Sequence, residues 1–118
     1  MKNERILIAD DQYVVREGFT SAINLFGEED GHSVVGEAAS IAEVKTLLEN
    51  GLKPTVAIVD GRFPKDGDGA RAAEIIKDLS PETIIIAFST YSQNYGKEQW
   101  DKLSSPTKIV RMLTNLKH

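Results

Sequence analysis

The chain has 118 residues, of which 41% are hydrophobic and 27% are charged, so we expect one globular domain over residues 1–118. It contains no cysteine, which excludes disulfides and thiolate metal sites, and its net charge of -4 provides no basic surface, so we expect no direct nucleic acid binding by this chain. No apolar run approaches the roughly 20 residues of a membrane span, and the N-terminus leads straight into a strand, so we expect a cytoplasmic chain without membrane contact.

The first strand and the first helix are predicted between residues 5 and 26. Residues 5–9 form an apolar run without polar alternation, which predicts a buried strand, and Asp10 and Asp11 follow it directly. Residues 13–26 carry apolar side chains at three- and four-residue steps, which predicts an amphipathic helix. In the polar loop that follows, we expect His32 to be exposed to solvent and to have no function.

A second strand and a second helix are predicted between residues 33 and 51. The strand covers residues 33–38. Ser40 is placed to cap the start of the helix, and Asn50 and Gly51 are placed to end it. The inward residues of this helix are Ile41, Val44, Leu47 and Leu48.

The central element is an apolar run at residues 54–60 that ends on Asp60. Its lack of polar alternation is typical of a strand that is covered on both faces in a parallel sheet. Glycine and proline residues follow it, so we expect a loop directly after Asp60. Because open α/β sheets bind ligands beyond the carboxyl ends of their strands, we expect a site there.

A third helix and a fourth strand complete the regular part of the chain. The helix is predicted over about residues 70–79, and the strand over residues 83–88, which end on Ser89 and Thr90. The order βαβαβαβ with short connections predicts a doubly wound parallel sheet with helices on both faces and right-handed crossovers. The inward residues of the third helix are Ala72, Ile75, Ile76 and Leu79.

The remainder of the chain departs from this rhythm. Residues 91–99 carry no apolar helical stripe, residues 100–103 predict a weak strand, and a final helix is predicted with Ser105 as its N-cap. Parallel strands need a crossover of about a dozen residues, so the fourth helix is expected to be missing or truncated. Either the connecting segment is an extended strap, or residues 100–118 dock on a second copy in a domain swap.

The carboxylates of Asp10, Asp11 and Asp60 are expected to share one pocket, because they follow strands that are neighbours in a doubly wound sheet. Such a cluster repels itself and raises its own pKa values unless a cation neutralises it. A set of oxygen ligands suits Mg²⁺. The three residues are therefore candidate magnesium ligands, although each alone could serve as a helix cap or a turn residue.

A phosphoryl group is the ligand that fits the neighbouring residues. Ser89 and Thr90 supply a hydroxyl and backbone donors at the end of the fourth strand, and Lys102 supplies a positive charge. An aspartate carboxylate can accept a phosphoryl group, so Asp60 is the candidate acceptor. Taken singly, Ser89 and Lys102 are more often a strand-end hydroxyl and a solvated cation.

In these motifs the chain resembles the receiver domains of bacterial two-component response regulators, and it is similar in particular to the LuxR-type subfamily. The resemblance covers nearly the whole chain, but the family normally places a full helix where this chain has the shortened region. The motifs that carry the resemblance are Ile-Leu-Ile-Ala-Asp-Asp at residues 6–11, Val-Val-Gly-Glu-Ala at 34–38, Val-Asp at 59–60, Phe-Pro at 63–64, Gly69, Ala-Phe-Ser-Thr at 87–90, and Lys102 with Ser-Pro at 105–106.

The resemblance implies a flavodoxin-like fold with strand order 2-1-3-4-5. It implies a signalling switch that receives a phosphoryl group on Asp60 from a histidine kinase or a phosphotransfer protein. Asp11, Asp60 and the backbone carbonyl of Arg62 would ligate Mg²⁺, and Asp10 would act mainly through a metal-bound water. The only reactions implied are Mg²⁺-dependent self-phosphorylation and autodephosphorylation, so the chain is not expected to be an enzyme otherwise.

The resemblance also assigns roles to the later residues. Ser89 would donate a hydrogen bond to the phosphoryl group, Thr90 would lie at the same site, and Lys102 would pair with the group electrostatically. The partners implied are the kinase and a homodimer that could be domain-swapped. Two alternatives stay open: a docking module that works without phosphorylation, and a Mg²⁺-dependent aspartyl phosphohydrolase, whose usual second aspartate is replaced here by Arg62.

Overall fold

A computed structural model of the chain describes residues 3–26, 31–60 and 68–88, which form a parallel α/β sheet with its helices. The strands lie in the order β2-β1-β3-β4, and every neighbouring pair is parallel, which confirms the predicted fold class. The predicted fifth strand, final helix, shortened connection and domain swap lie outside the described residues. The elements in chain order are β1 (Arg5–Ala9), α1 (Tyr13–Phe26), β2 (Ser33–Ala38), α2 (Ile41–Glu49), β3 (Val56–Asp60), α3 (Asp68–Leu79) and β4 (Ile84–Phe88).

The helices cover both faces of the sheet. Successive side chains of a strand point to opposite faces, so β1 and β3 each contribute to two separate cores. All five residues of β3 are buried, which explains why its sequence shows no polar alternation. The core under α1 contains Ile6, Ile8, Phe19, Ala22, Ile23, Val56, Ile58 and Ile86. The core under α2 and α3 contains Leu7, Ala9, Ala38, Val44, Leu48, Ala57, Val59, Ala72 and Ile76.

The start and the end of α2 follow the predicted cap and stop. The Ser40 hydroxyl accepts a hydrogen bond from the backbone N–H of Glu43 at 3.1 Å. Glu43 reaches back and accepts a hydrogen bond from the backbone N–H of Ala39 at 3.4 Å, so the helix start is capped from both sides. Past the helix end, Gly51 has a φ of 102°, a left-handed conformation that favours glycine.

Strands β3 and β4 begin slightly later than the sequence predicts, at Val56 and Ile84 rather than at residues 54 and 83. Pro54 has no N–H to donate to a strand ladder. Its carbonyl instead accepts a hydrogen bond of 2.7 Å from the buried hydroxyl of Thr83. One side-chain contact therefore joins the two chain segments just before their strands pair.

Helix α3 begins at Asp68, earlier than the predicted start near residue 70. The prediction that Leu79 faces inward is wrong, since this side chain is 44% exposed. Leu79 is the last residue of the helix and lies beside Pro54 and Pro81 at the wall of an open cavity rather than over the sheet. The periodic pattern therefore holds in the middle of α3 and fails in its last turn.

His32 is buried, so the prediction that it is exposed is wrong; its residue accessibility is 6%. Its Nδ1 atom accepts a hydrogen bond of 3.1 Å from the backbone N–H of Glu4. The backbone N–H of Ser33 donates to the Glu4 carbonyl at 2.9 Å. The imidazole thus supplies an acceptor to the main chain immediately before β1 and β2 begin to pair, and this contact orders the start of both strands.

Candidate metal centre

Three carboxylates meet at the carboxyl end of the central strands. Asp10 directly follows β1, Asp60 is the last residue of β3, and these two strands are parallel neighbours in which Ala9 pairs with Val59. One carboxylate oxygen from each of Asp10, Asp11 and Asp60 lies within 4.8 Å of the others. The structure therefore brings together the three acidic residues that the strand order predicts as neighbours.

Two members of the acidic cluster are buried and one is exposed. Asp10 is 0% exposed and Asp60 is 2% exposed, whereas Asp11 is exposed. Asp10 Oδ1 accepts a hydrogen bond of 2.7 Å from the backbone N–H of Gln12, but Asp10 Oδ2 is buried and has no hydrogen-bond donor among residues 3–26, 31–60 and 68–88. An acceptor without a donor is costly in the interior, so this atom indicates that something positive belongs beside it.

The pKa of Asp10 is raised by the same buried and acidic surroundings. Burial raises the pKa of its carboxyl from 3.8 to about 7; the Gln12 N–H opposes this change, and the neighbouring charges of Asp60 and Asp11 add to it. Only the protonated form of Asp10 can donate a hydrogen bond to Asp60, and this raises the pKa further. The described part of the chain thus holds more negative charge at this point than its own donors offset.

A hard divalent cation fits these donors. The cluster offers only oxygen atoms, one of which lacks a donor within the described part of the chain, and its exposed member, Asp11, leaves a side open to water and to a ligand. Asp10, Asp11 and Asp60 are the described residues that would hold Mg²⁺. When bound, the ion would neutralise the carboxylates and attract a phosphoryl oxygen.

A neighbouring ion pair was not anticipated from the sequence. Nη1 of Arg16 donates a hydrogen bond of 2.7 Å to the backbone carbonyl of Asp10, and its Nε lies 3.2 Å from Oε1 of Glu37. Arg16 occupies a polar position of an amphipathic helix, where a solvated side chain is the ordinary expectation. Since the pair joins α1 to β2, no local pattern in the sequence indicates it.

Four predicted site residues lie outside the described parts of the chain. They are Arg62, Ser89, Thr90 and Lys102. Their predicted contacts with Mg²⁺ or a phosphoryl group stay predictions.

Comparison with known proteins decides the family. A family model of the response regulator receiver domain matches residues 6–103. The chain belongs to this family. Among its relatives, this receiver domain is 36% identical over 88 residues to the transcriptional regulatory protein YhcZ of Bacillus subtilis, a match that covers 75% of the chain and 39% of YhcZ. It is 30% identical over 90 residues to the DNA-binding transcriptional activator DevR/DosR of Mycobacterium tuberculosis, covering 76% of the chain and 39% of that protein.

The fold of the receiver domain is matched by solved structures. The signal receiver domain of the response regulator NarL from Mycobacterium tuberculosis superposes with a TM-score of 0.70 and 28% identity, covering 96% of this chain and 94% of that one. The resemblance to LuxR-type response regulators that the sequence indicates is confirmed by these relatives. The relatives named above are described as transcriptional or response regulators rather than as enzymes.

The receiver domain spans about two fifths of the length of the curated relatives it matches, 39% in both cases above. The exclusion of nucleic acid from the partners is wrong, because one of these relatives is itself named as a DNA-binding activator. The net charge of -4 is that of these 118 residues, so it says nothing about what the longer relatives bind. Over residues 3–26, 31–60 and 68–88, no helix is long and apolar enough to cross a membrane.

Proposed function

We propose that this receiver domain accepts a phosphoryl group on Asp60 from a histidine kinase or a phosphotransfer protein, in a reaction that depends on Mg²⁺. The observation that carries the proposal is the convergence of three carboxylates at the ends of β1 and β3, where one buried oxygen has no donor from any residue that the structure describes. The family match over residues 6–103 supports the same assignment. The proposal treats residues 1–118 as one receiver domain.

The position of Asp60 suits it to act as the acceptor. It is the last residue of a strand that is buried on both faces, so the backbone that carries its carboxylate is held by two cores. In the transfer, an Asp60 carboxylate oxygen forms a bond to phosphorus, and the bond from phosphorus to the donor nitrogen breaks, with its electron pair leaving on that nitrogen. Asp10 and Asp11 remain beside it as the carboxylates that hold the cation.

The remaining site residues complete the proposal. The carbonyl of Arg62 is assigned to the cation, the Ser89 hydroxyl and Thr90 to the phosphoryl oxygens, and Lys102 to the charge of the modified Asp60. Phosphorylation adds charge at one end of the sheet and biases a two-state surface. The names of the relatives support an output in the regulation of transcription.

The test is incubation with a small phosphodonor such as acetyl phosphate, with Mg²⁺ or with a chelator, followed by intact-mass measurement. We expect a mass increase of one phosphoryl group with Mg²⁺ and little or none with the chelator. Asp60→Asn should lose the adduct. Asp78→Asn, which removes an exposed carboxylate on α3, is the matched control and should keep it.

Two results would contradict the proposal. An adduct that persists in Asp60→Asn would place the modification elsewhere. A wild-type chain that binds Mg²⁺ and forms no adduct would instead favour the docking module that works without phosphorylation.

A further inference from the structure

Arg16 makes three contacts at the edge of the acidic cluster. Its Nη1 donates to the carbonyl oxygen of Asp10 at 2.7 Å, its Nε lies 3.2 Å from Oε1 of Glu37, and its guanidinium carbon lies 5.6 Å from the centre of the Tyr13 ring. The Arg16 side chain is only 14% exposed, whereas that of Glu37 is 34% exposed. The planar guanidinium of Arg16 therefore contacts Tyr13 in the first turn of α1, Asp10 after β1, and Glu37 near the end of β2.

The Asp10 carbonyl lies at the point where β1 has ended and the chain turns toward α1. The backbone N–H of Asp10 still donates to the Ala38 carbonyl at 3.0 Å, but the β1 strand ends one residue earlier, at Ala9. At this point the chain turns, and the Gln12 N–H folds back to Asp10 Oδ1. Arg16 donates to the carbonyl of the next peptide unit, between Asp10 and Asp11, so the backbone that carries these two carboxylates is held from several sides.

The positive charge of Arg16 affects how strongly the acidic cluster can bind a cation. A guanidinium beside a cation site should by Coulomb repulsion weaken the binding of a divalent cation. Glu37 supplies the opposite charge to the same guanidinium at 3.2 Å, and this negative charge opposes that repulsion. The pair thus retains the hydrogen-bonding geometry of arginine while its formal net charge is zero.

We propose that Arg16, neutralised by Glu37, is a positioning residue that fixes the turn from Asp10 to Gln12 and thereby raises the affinity of the acidic cluster for Mg²⁺. This inference rests on the proposed function, since it assigns the cluster to Mg²⁺. Arg16 touches neither the cation nor the phosphoryl group in this proposal. It acts through the backbone of Asp10, in the way that partners of metal ligands commonly set metal affinity.

The sign of one substitution separates positioning from simple electrostatics. If Arg16 acted only through its charge, Arg16→Gln would tighten Mg²⁺ binding. If it acts by positioning, Arg16→Gln should weaken binding by about tenfold. Arg16→Lys keeps the charge but has a single nitrogen that cannot make both contacts, so it should weaken binding as well, and it serves as the second variant if Arg16→Gln does not fold.

The measurement is calorimetric titration of the chain with MgCl₂, with the fold of each variant checked by circular dichroism. Lys53→Gln is the matched control for charge, because Lys53 is exposed and precedes β3 at the end of the sheet opposite to the cluster. Its Mg²⁺ affinity should equal that of the wild type. Glu37→Gln should weaken binding in the wild type and should add little in the Arg16→Gln background, since the two residues act as a unit.

A second readout needs no metal. In a chelator, amide hydrogen exchange of Gln12 should be faster in Arg16→Gln than in the wild type, because its acceptor on Asp10 is less well held. Unchanged exchange together with equal or tighter Mg²⁺ binding in Arg16→Gln would overturn the inference and leave the proposed function intact. A wild-type chain that does not bind Mg²⁺ would overturn both.

Discussion

Asp10 and Asp60 lie side by side at the carboxyl ends of two neighbouring parallel strands, with a carboxylate oxygen of one within 4.8 Å of a carboxylate oxygen of the other. Both side chains are buried, so the repulsion between them is weakly screened. This pairing is unfavourable for the folded chain on its own and favourable for a chain that holds a cation.

Without Mg²⁺, stability is expected to fall as the pH rises from about 4 to about 7. The pKa of Asp10 is raised from 3.8 to about 7, so in this interval the folded chain keeps a proton that the unfolded chain has released. The contribution of this group is therefore greatest below the interval and is lost as Asp10 ionises. Asp10→Asn should remove the slope and raise the free energy of unfolding above the interval by about 2 to 4 kcal/mol.

Urea unfolding in a chelator, measured across that interval, checks this prediction for the wild type and for Asp10→Asn. Glu74→Gln, an exposed carboxylate on α3, is the control and should retain the wild-type slope. Equal slopes in wild type and Asp10→Asn would show that the Asp10 carboxyl is not the group that titrates.

Addition of Mg²⁺ is expected to stabilise the folded chain, because the proposed cation site is a cluster that exists only when β1 and β3 pair. At a concentration of about 100 times its Kd, the gain in the free energy of unfolding should be about 2.7 kcal/mol. Thermal unfolding at neutral pH, with NaCl of matched ionic strength as the reference, measures it. Asp60→Asn should lose most of this gain, and an equal gain in that variant would place the cation elsewhere.

Replacement of His32 is expected to destabilise the start of the sheet. His32→Leu leaves the buried Glu4 N–H without its acceptor, which should cost about 1 to 3 kcal/mol of stability. His32→Asn offers an oxygen at the position of Nδ1 and should cost less. Denaturant unfolding of the two variants compares them, and an equal loss in both would assign the effect to packing rather than to the hydrogen bond.

Ser40→Ala removes the side chain that caps α2 and should lower the free energy of unfolding by about 1 kcal/mol. Ser21→Ala is the control, since Ser21 is exposed within α1 and alanine favours a helix interior. The same unfolding assay measures both. A loss in Ser21→Ala as large as in Ser40→Ala would mean that the cap is not the cause.

The sequence predicts most of the described fold because the relevant signals are local. The apolar run before Asp10 and the alternation-free run before Asp60 predict their strands, and Ser40 and Gly51 predict the ends of α2. The acidic cluster is predictable as well, since the order of strands and helices places the ends of the first and third strands together. The apolar periodicity of α3 wrongly predicts that Leu79 is buried, because this residue is at the end of the helix, beside an open cavity.

Tertiary structure alone decides how the cluster is supported. Three features depend on which atoms meet across separate elements: the contact of Arg16 with Glu37, the buried imidazole of His32, and the Asp10 oxygen for which residues 3–26, 31–60 and 68–88 supply no donor. A polar residue in sequence is compatible with solvent or with a buried partner, and the difference in free energy comes from desolvation that only packing sets. The order of the residues therefore determined which carboxylates would meet, and the packed fold decided how tightly they are held.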